Sequence, residues 1–129
     1  MMNVGLTNRM EIMVDKTNVA GAVGSGSVDV FATPQMINLM ERCCSYSVAP
    51  YMEQGCTTVG TIVNVSHLSA TPIGMKVWCE STLTQIDGKK LVFDVKAYDE
   101  KGIIGEGTHE RFIINIEKFM ARTLKKLEG

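Results

Sequence analysis

Charge of one sign, long apolar runs and aromatic side chains are all scarce in this sequence. The 129 residues carry a formal net charge of -1, and only 6% of them are aromatic. Nucleic-acid-binding domains usually carry a basic stripe, so this balance argues against DNA or RNA as a partner. Residues 54–75 contain no charged side chain, yet they include a proline, a histidine and several threonines. Their hydropathy is too low for a membrane helix, and we expect no membrane insertion.

Targeting signals and cysteine frameworks are also missing. The opening MMNVGLTNRMEIMVDK has neither the basic start nor the long apolar core of a signal peptide, so we expect a cytosolic protein. The cysteines lie at positions 43, 44, 56 and 79, which is few for a disulfide scaffold. Without a C-x-x-C or H-x-x-x-H pattern, the sequence predicts reduced thiols and neither a metal nor another cofactor.

The length and the 45% hydrophobic content suit one domain with one core over residues 1–129. A first strand is predicted near Arg9–Val14. The stretch TNVAGAVGSGSVD follows it, and its Gly and Ser content indicates a flexible loop. From Thr33 the pattern becomes helical, because Thr33 suits the N-cap, Pro34 suits the first helical position and no breaker occurs until Pro50.

Four strands should follow the helix, at approximately 57–68, 75–86, 89–98 and 103–116. The triplets DGK and EKG mark tight hairpins between the last three strands. One helix after a first strand, followed by an antiparallel meander, is the order of an α+β sheet curled around a central helix, the hotdog fold. A sheet with one face on a helix and an unpaired edge commonly pairs with another subunit, so we expect a homodimer or a dimer of dimers.

The predicted helix has a wide apolar face that should be largely enclosed. With Leu39 and Tyr46 on its flank, the face consists of Met36, Ile37, Met40, Cys43, Cys44, Ser47 and Val48. Glu41 lies at the boundary of this face, as either a solvated surface residue or a partly desolvated carboxylate. Cys43 and Cys44 lie far from the activating N-terminus of the helix, so we interpret them as core residues rather than nucleophiles.

His67, one of two histidines, lies near the end of the second predicted strand. Counting back in steps of two gives an inward, largely apolar face that continues through Val65, Val63, Thr61 and Val59. His67 is therefore either a hydrogen-bonded core residue or a catalytic group. Gly60 interrupts the same strand and indicates a bulge or the close approach of another group.

The last predicted strand places His109 and Arg111 on one face, with Thr108 and Glu110 on the other. For His109, a polar sheet face and a functional role remain equal alternatives. Arg111 either binds an anion, such as an acyl carboxylate or a CoA phosphate, or pairs with a nearby glutamate.

Four segments together resemble the fluoroacetyl-CoA thioesterase group of hotdog proteins. In order along the chain they are VFATPQMINLMERCC, APYMEQG, TTVGTIVNVSHLSATPIG and GEGTHERFIINIEKF. The resemblance implies a catalytic set of Thr33, Glu41 and His67, and an acyl site lined by the backbone at Gly60 and the side chain of Arg111. The fluoroacetyl enzyme carries bulky aromatic residues before its VFA block. This chain has AGAVGSGSVD there, so no aromatic lid is expected.

The expected function is hydrolysis of a short-chain acyl-CoA to the free acid and CoA. Glu41 would act as base or nucleophile, and His67 would shuttle a proton or orient water. Thr33 would polarise the carbonyl or hold Glu41, while the Gly60 N–H would help to bind the oxyanion. The rival function is a non-catalytic dimer that binds acyl-CoA on the same fold. A hotdog hydratase ranks below both, because the sequence has no D-x-x-x-x-H block.

Overall fold

Five antiparallel strands wrap one long helix in the computed structural model, which describes all 129 residues. The strands lie side by side in the order β1-β3-β4-β5-β2. The elements are β1 (Thr7–Met13), α1 (Ala20–Val23), α2 (Thr33–Val48), β2 (Cys56–His67), β3 (Lys76–Asp87), β4 (Lys90–Asp99), β5 (Gly102–Asn115) and α3 (Ile116–Leu124). This order confirms the predicted α+β hotdog fold. No helix has the length and apolar character needed to cross a membrane.

The core lies between α2 and the concave face of the sheet. Strand β4 shows why the sheet has two faces, since Phe93 and Val95 are buried while Asp94 and Lys96 alternate with them in solvent. From α2 the fully or almost fully buried side chains are Met36, Leu39, Met40, Cys43, Cys44 and Val48. Leu39 therefore belongs to the core rather than to its flank, whereas Tyr46 is exposed.

The predicted capping role of Thr33 is wrong by one position. Helix α2 has Ala32 as its N-cap, and no side chain bonds to the free N–H groups there. Thr33 and Pro34 both lie in the first turn, where proline is tolerated because its missing N–H would have no partner. The Thr33 hydroxyl is consequently available for a contact outside the helix.

The segment predicted as a flexible loop is instead bonded to the residues that precede α2. It contains the short helix α1, and Val19 pairs with Phe31 in an isolated bridge. The Ala20 N–H donates to the Val30 carbonyl at 2.9 Å. Val19 and Ala20 are buried whereas residues 21–29 are mostly exposed, so only the start of this Gly-rich stretch is anchored to the core.

Strand β2 ends the sheet, because it pairs only with β5, and it contains a bulge. Gly60 lies opposite Arg111 and Ile62 opposite Glu110, so Thr61 is the extra residue. The bulge reverses the alternation, so Gly60 lies on the inward face before it and His67 on the inward face after it. The predicted inward face of His67 is therefore wrong for Thr61 and Val59, which precede the end of the bulge. The predicted bulge at Gly60 is confirmed.

Candidate active site

Thr33 and His67 form a hydrogen-bonded pair where α2 begins and β2 ends. The Thr33 Oγ1 lies 2.7 Å from His67 Nδ1. Helix α2 supplies Thr33 from its first turn, next to the positive end of the helix dipole. The ring can adopt either tautomer, because the hydroxyl donates to a bare Nδ1 or accepts from a protonated one. The other ring nitrogen, Nε2, is enclosed and has no protein partner.

A cavity of about 330 Å³ opens over this pair. Its other walls come from the segment before α2 and from the residues that follow β2, with Val28, Val30, Phe31 and Leu68 as the larger apolar side chains. The segment 20–28 contributes no aromatic ring, as the sequence predicts. Phe31 does line the cavity, but it comes from the VFA block and is 1% exposed, so it is part of the core rather than a lid.

Glu41, Gly60, His109 and Arg111 form a second polar cluster. A Cβ atom built on Gly60 would lie 3.0 Å from Glu41 Oε2, 3.2 Å from His109 Cε1 and 3.4 Å from Arg111 Nη1. The missing side chain at Gly60 therefore leaves the space that the carboxylate, the imidazole and the guanidinium surround. This arrangement places a carboxylate against the backbone of the β2 bulge.

Arg111 is held rigidly although it carries a buried charge. Its Nε donates to Thr58 Oγ1 at 2.8 Å, and its Nη2 donates to the Thr58 carbonyl at 2.9 Å. Its Nη1 lies 3.2 Å from His109 Nε2. Burial lowers the pKa of Arg111, and the negative charge of Glu41 opposes that shift. Arg111 does not pair with Glu110 or another neighbouring glutamate, since the one ion pair of the chain joins Arg9 to Glu11.

The five residues singled out from the sequence thus fall into two groups within one chain. Thr33 and His67 line the cavity described above, while Glu41 and Arg111 line a separate cavity of about 190 Å³. Thr33 and Glu41 are eight residues apart on α2, which corresponds to about 12 Å along the helix axis. A single chain therefore does not bring the threonine and the glutamate to one reacting atom.

Sequence reasoning left the role of His109 undecided and missed Thr58, which supports the second cluster. His109 is 1% exposed, and its Nδ1 lies 2.7 Å from the Ile62 carbonyl in the bulge. The strand alternation did place His109 beside Arg111, but it left its role open. Thr58 gave no signal, because a threonine in a strand is ordinary and only the fold shows that it holds the guanidinium through two hydrogen bonds.

The cysteines take no part in either cluster. Cys43 and Cys44 are fully buried, and burial raises the pKa of the Cys44 thiol. All four cysteines are free. The structure contains no group of three or more His, Cys, Asp or Glu residues that could hold a metal ion.

We expect the free energy of unfolding to fall as the pH is lowered from about 7 to about 5. Burial lowers the pKa of His67 and of His109, so the unfolded chain accepts protons near the ordinary pKa of about 6.5 and the folded chain resists them. The contribution is complete above that value and is lost as the pH falls through the folded pKa values. Urea unfolding across this range measures it, with His67→Ala as the control that should show a weaker dependence. A free energy that stays constant or rises on acidification would contradict the expectation.

The antiparallel sheet wrapped around one long helix is the hotdog architecture, which solved thioesterases share. A family model described as fluoroacetyl-CoA-specific thioesterase matches residues 14–117, and the chain belongs to this family. This confirms the resemblance found in the sequence.

Individual relatives agree with this assignment. The chain is 43% identical over 98 residues to the fluoroacetyl-CoA thioesterase of Streptantibioticus cattleyicolor. The aligned region covers 76% of this chain and 70% of that relative. A solved mutant of the fluoroacetyl-CoA-specific thioesterase is 35% identical, with 98% of each chain covered and a TM-score of 0.92. The same mutant in complex with fluoroacetate and CoA is 35% identical and matches with a TM-score of 0.87, over 92% of this chain and 99% of the other.

Proposed function

We propose that the protein hydrolyses short-chain acyl-CoA thioesters to the free acid and CoA, with Thr33, Glu41 and His67 as catalytic residues. The observation that carries this proposal is the 2.7 Å contact between the Thr33 hydroxyl and the His67 imidazole over an open cavity. A related structure with fluoroacetate and CoA bound supports an acyl-CoA substrate. We further propose that residues 1–129 act as one catalytic domain in the cytosol, which the four free thiols support.

Each of these side chains has a chemical role in thioester hydrolysis. His67 resists protonation because of its burial, so a neutral imidazole is available near pH 7 to accept a proton or to orient water. The Thr33 hydroxyl polarises the thioester carbonyl beside the positive end of α2. Glu41 is the base that activates water or the nucleophile that attacks the carbonyl carbon, and the Gly60 N–H stabilises the oxyanion. The departing CoA thiolate takes up the proton that the base or His67 removed from water, and in the nucleophilic route a water then hydrolyses the Glu41–acyl anhydride to release the acid.

Arg111 has N–H groups that make no hydrogen bond within the protein and can bind the substrate. A guanidinium has five N–H groups, of which three are engaged by Thr58 and His109, so two remain. Because Thr58 and His109 fix the plane of the guanidinium, the remaining donors point in set directions. We assign Arg111 to substrate binding through these two remaining donors.

A second copy of the chain completes this site in our proposal. Strand β2 is an edge strand with no charged side chain from Cys56 to His67, and its residues 60–64 are all exposed. Such an edge is a template for another strand unless something covers it. The opposite edge strand, β1, is shorter and carries Arg9 and Glu11. Antiparallel pairing of β2 with its copy therefore fits the chain better than pairing through β1.

The same pairing would join the two polar clusters. The Glu41 cluster lies beside the first half of β2, at Gly60, while the Thr33–His67 pair lies at the end of β2. A two-fold axis through the middle of the exposed run places the first half of one strand beside the second half of the other. Each dimer then has two sites, each with Thr33 and His67 from one copy and Glu41, Gly60 and Arg111 from the other.

We expect the protein to release free CoA thiol from short-chain acyl-CoA, with weak selectivity between acetyl and fluoroacetyl groups and better activity on butyryl-CoA. Apart from Phe31, which is buried in the core, the segment before α2 lines the cavity with no aromatic ring, so it does not enclose a two-carbon acyl group tightly. One atom's difference in a loose apolar site is worth about 1–3 kcal/mol. Thiol release with acetyl-, fluoroacetyl- and butyryl-CoA gives kcat/KM for each.

His67→Ala, with its fold verified by circular dichroism, is the control for this panel, because it removes the proposed proton acceptor. Binding of acyl-CoA without thiol release would favour the non-catalytic dimer instead. A preference for fluoroacetyl-CoA above about a thousandfold, well beyond what one atom contributes, would show that selectivity arises without an aromatic lid.

A further inference from the structure

His109 occupies the point where the β2 bulge meets the Arg111 guanidinium. Its Nδ1 lies 2.7 Å from the Ile62 carbonyl, and its Nε2 lies 3.2 Å from Arg111 Nη1. The carbonyl accepts only, so Nδ1 carries the proton. The guanidinium donates only, so Nε2 must be bare. These two contacts together select one neutral tautomer and leave no freedom in the ring.

The surroundings keep this imidazole neutral. Burial is the main cause of its lowered pKa, and the positive charge of Arg111 adds to it. Glu41 on α2 and Glu110 on β5 oppose the shift, but neither carboxylate bonds to the ring. If Nε2 were protonated, its N–H would point at the N–H of Arg111 Nη1 and the hydrogen bond would be lost. The positive imidazolium would also repel the positive guanidinium.

We propose that His109 is a positioning residue for the thioesterase reaction, which fixes the β2 bulge through the Ile62 carbonyl and the Arg111 guanidinium through Nε2. The inference rests on the proposed function, because the two groups it aligns are the Gly60 backbone and the donors of Arg111. His109 itself does not touch the substrate. It sets the distance between the bulge and the guanidinium, on either side of the Glu41 carboxylate.

A purely structural role for the ring makes a different prediction. His109 also packs against Phe93, with ring centroids 6.3 Å apart and planes 28° apart. If packing were its only role, a phenylalanine of similar shape would replace it without loss of catalysis. If the donor and the acceptor matter, glutamine should replace it, since its amide offers an NH₂ donor and an oxygen acceptor at a similar separation.

Thiol release by the wild type, His109→Phe and His109→Gln therefore tests the inference. We expect His109→Phe to lower kcat by about 30-fold or more, because the bulge carbonyl and Nη1 lose their partners, and to raise KM as well, because Arg111 is assigned to substrate binding. His109→Gln should keep kcat within about fivefold of the wild type. Thr71→Val is the matched control, since it also removes a buried side-chain hydrogen bond, to Asp99 at 2.8 Å, but lies outside both clusters. It should lower Tm and leave kcat unchanged.

The pH profile supplies a second readout that does not depend on His109→Phe being folded. Protonation of His109 removes the acceptor for Arg111 in the wild type but has no counterpart in His109→Gln. The slope of log kcat against pH on the acid side should therefore fall by one unit in the glutamine variant. Equal slopes, full activity of a folded His109→Phe, or equal damage by phenylalanine and glutamine would each overturn the inference. An inactive wild type would instead refute the proposed function.

Discussion

Glu41→Gln and His67→Ala should each lower kcat for acyl-CoA hydrolysis by about a hundredfold or more, the usual scale for the loss of an acid-base group. Glutamine preserves the shape of Glu41 beside Gly60 but neither accepts a proton readily nor attacks a carbonyl. Alanine at position 67 removes the only imidazole that contacts the Thr33 hydroxyl. Steady-state thiol release measures both effects.

Thr33→Ala is the graded comparison for these two variants. It removes one polarising hydroxyl and leaves both the carboxylate and the imidazole, so its loss of kcat should be smaller. Circular dichroism establishes that each variant retains the fold. If folded Glu41→Gln kept near-native turnover, the glutamate would be structural and the proposed mechanism would fail.

Two inactive variants should restore activity when their chains are mixed. In a dimer of one Glu41→Gln chain and one His67→Ala chain, one site contains both substitutions. The other site contains the intact Glu41 of one chain and the intact His67 of the other. Random reassociation makes half of the dimers mixed, and each mixed dimer has one intact site of two. The mixture should therefore have about a quarter of the wild-type activity, whereas either parent alone has less than about a hundredth. Denaturing the two variants together and refolding them produces the mixture, and thiol release measures the recovery.

The control for this experiment is the double variant Glu41→Gln/His67→Ala mixed with either parent, which cannot assemble an intact site. Sedimentation at micromolar concentration should show dimers, or multiples of them, in every sample. Dimers that form in the mixture without recovery would mean that each site lies within one chain. A monomeric protein would remove the proposed composite site altogether.

The strands and the main helix were predictable because their side-chain periods are strong. β4 alternates between core and solvent over its whole length, and α2 continues from Thr33 without a breaker. The predicted strand bounds accordingly lie within two residues of those in the structure. The bulge at Thr61 defeated the same method on β2, because an extra residue reverses the alternation and periodicity has no means of placing it.

The candidate site was predictable as a set of residues but not as a geometry. Thr33, Glu41 and His67 were named through a family resemblance, which carries no distances. The eight residues between Thr33 and Glu41 do imply their separation along a helix, yet nothing in the sequence pairs Thr33 with His67 across 34 positions. The hydrogen bonds of His109 and Thr58 to Arg111 likewise depend on the register of β2 against β5, which only the folded sheet defines.

The empty space above Gly60 limits how this protein can diverge. A Cβ there would lie 3.0 Å from Glu41 Oε2, so even alanine would push the carboxylate aside by a few tenths of an ångström, and a larger side chain would take its place. The absence of a side chain at position 60 and the position of the Glu41 carboxylate therefore depend on each other. If Glu41 is the catalytic carboxylate proposed above, a side chain at position 60 would lower activity and leave the fold in place.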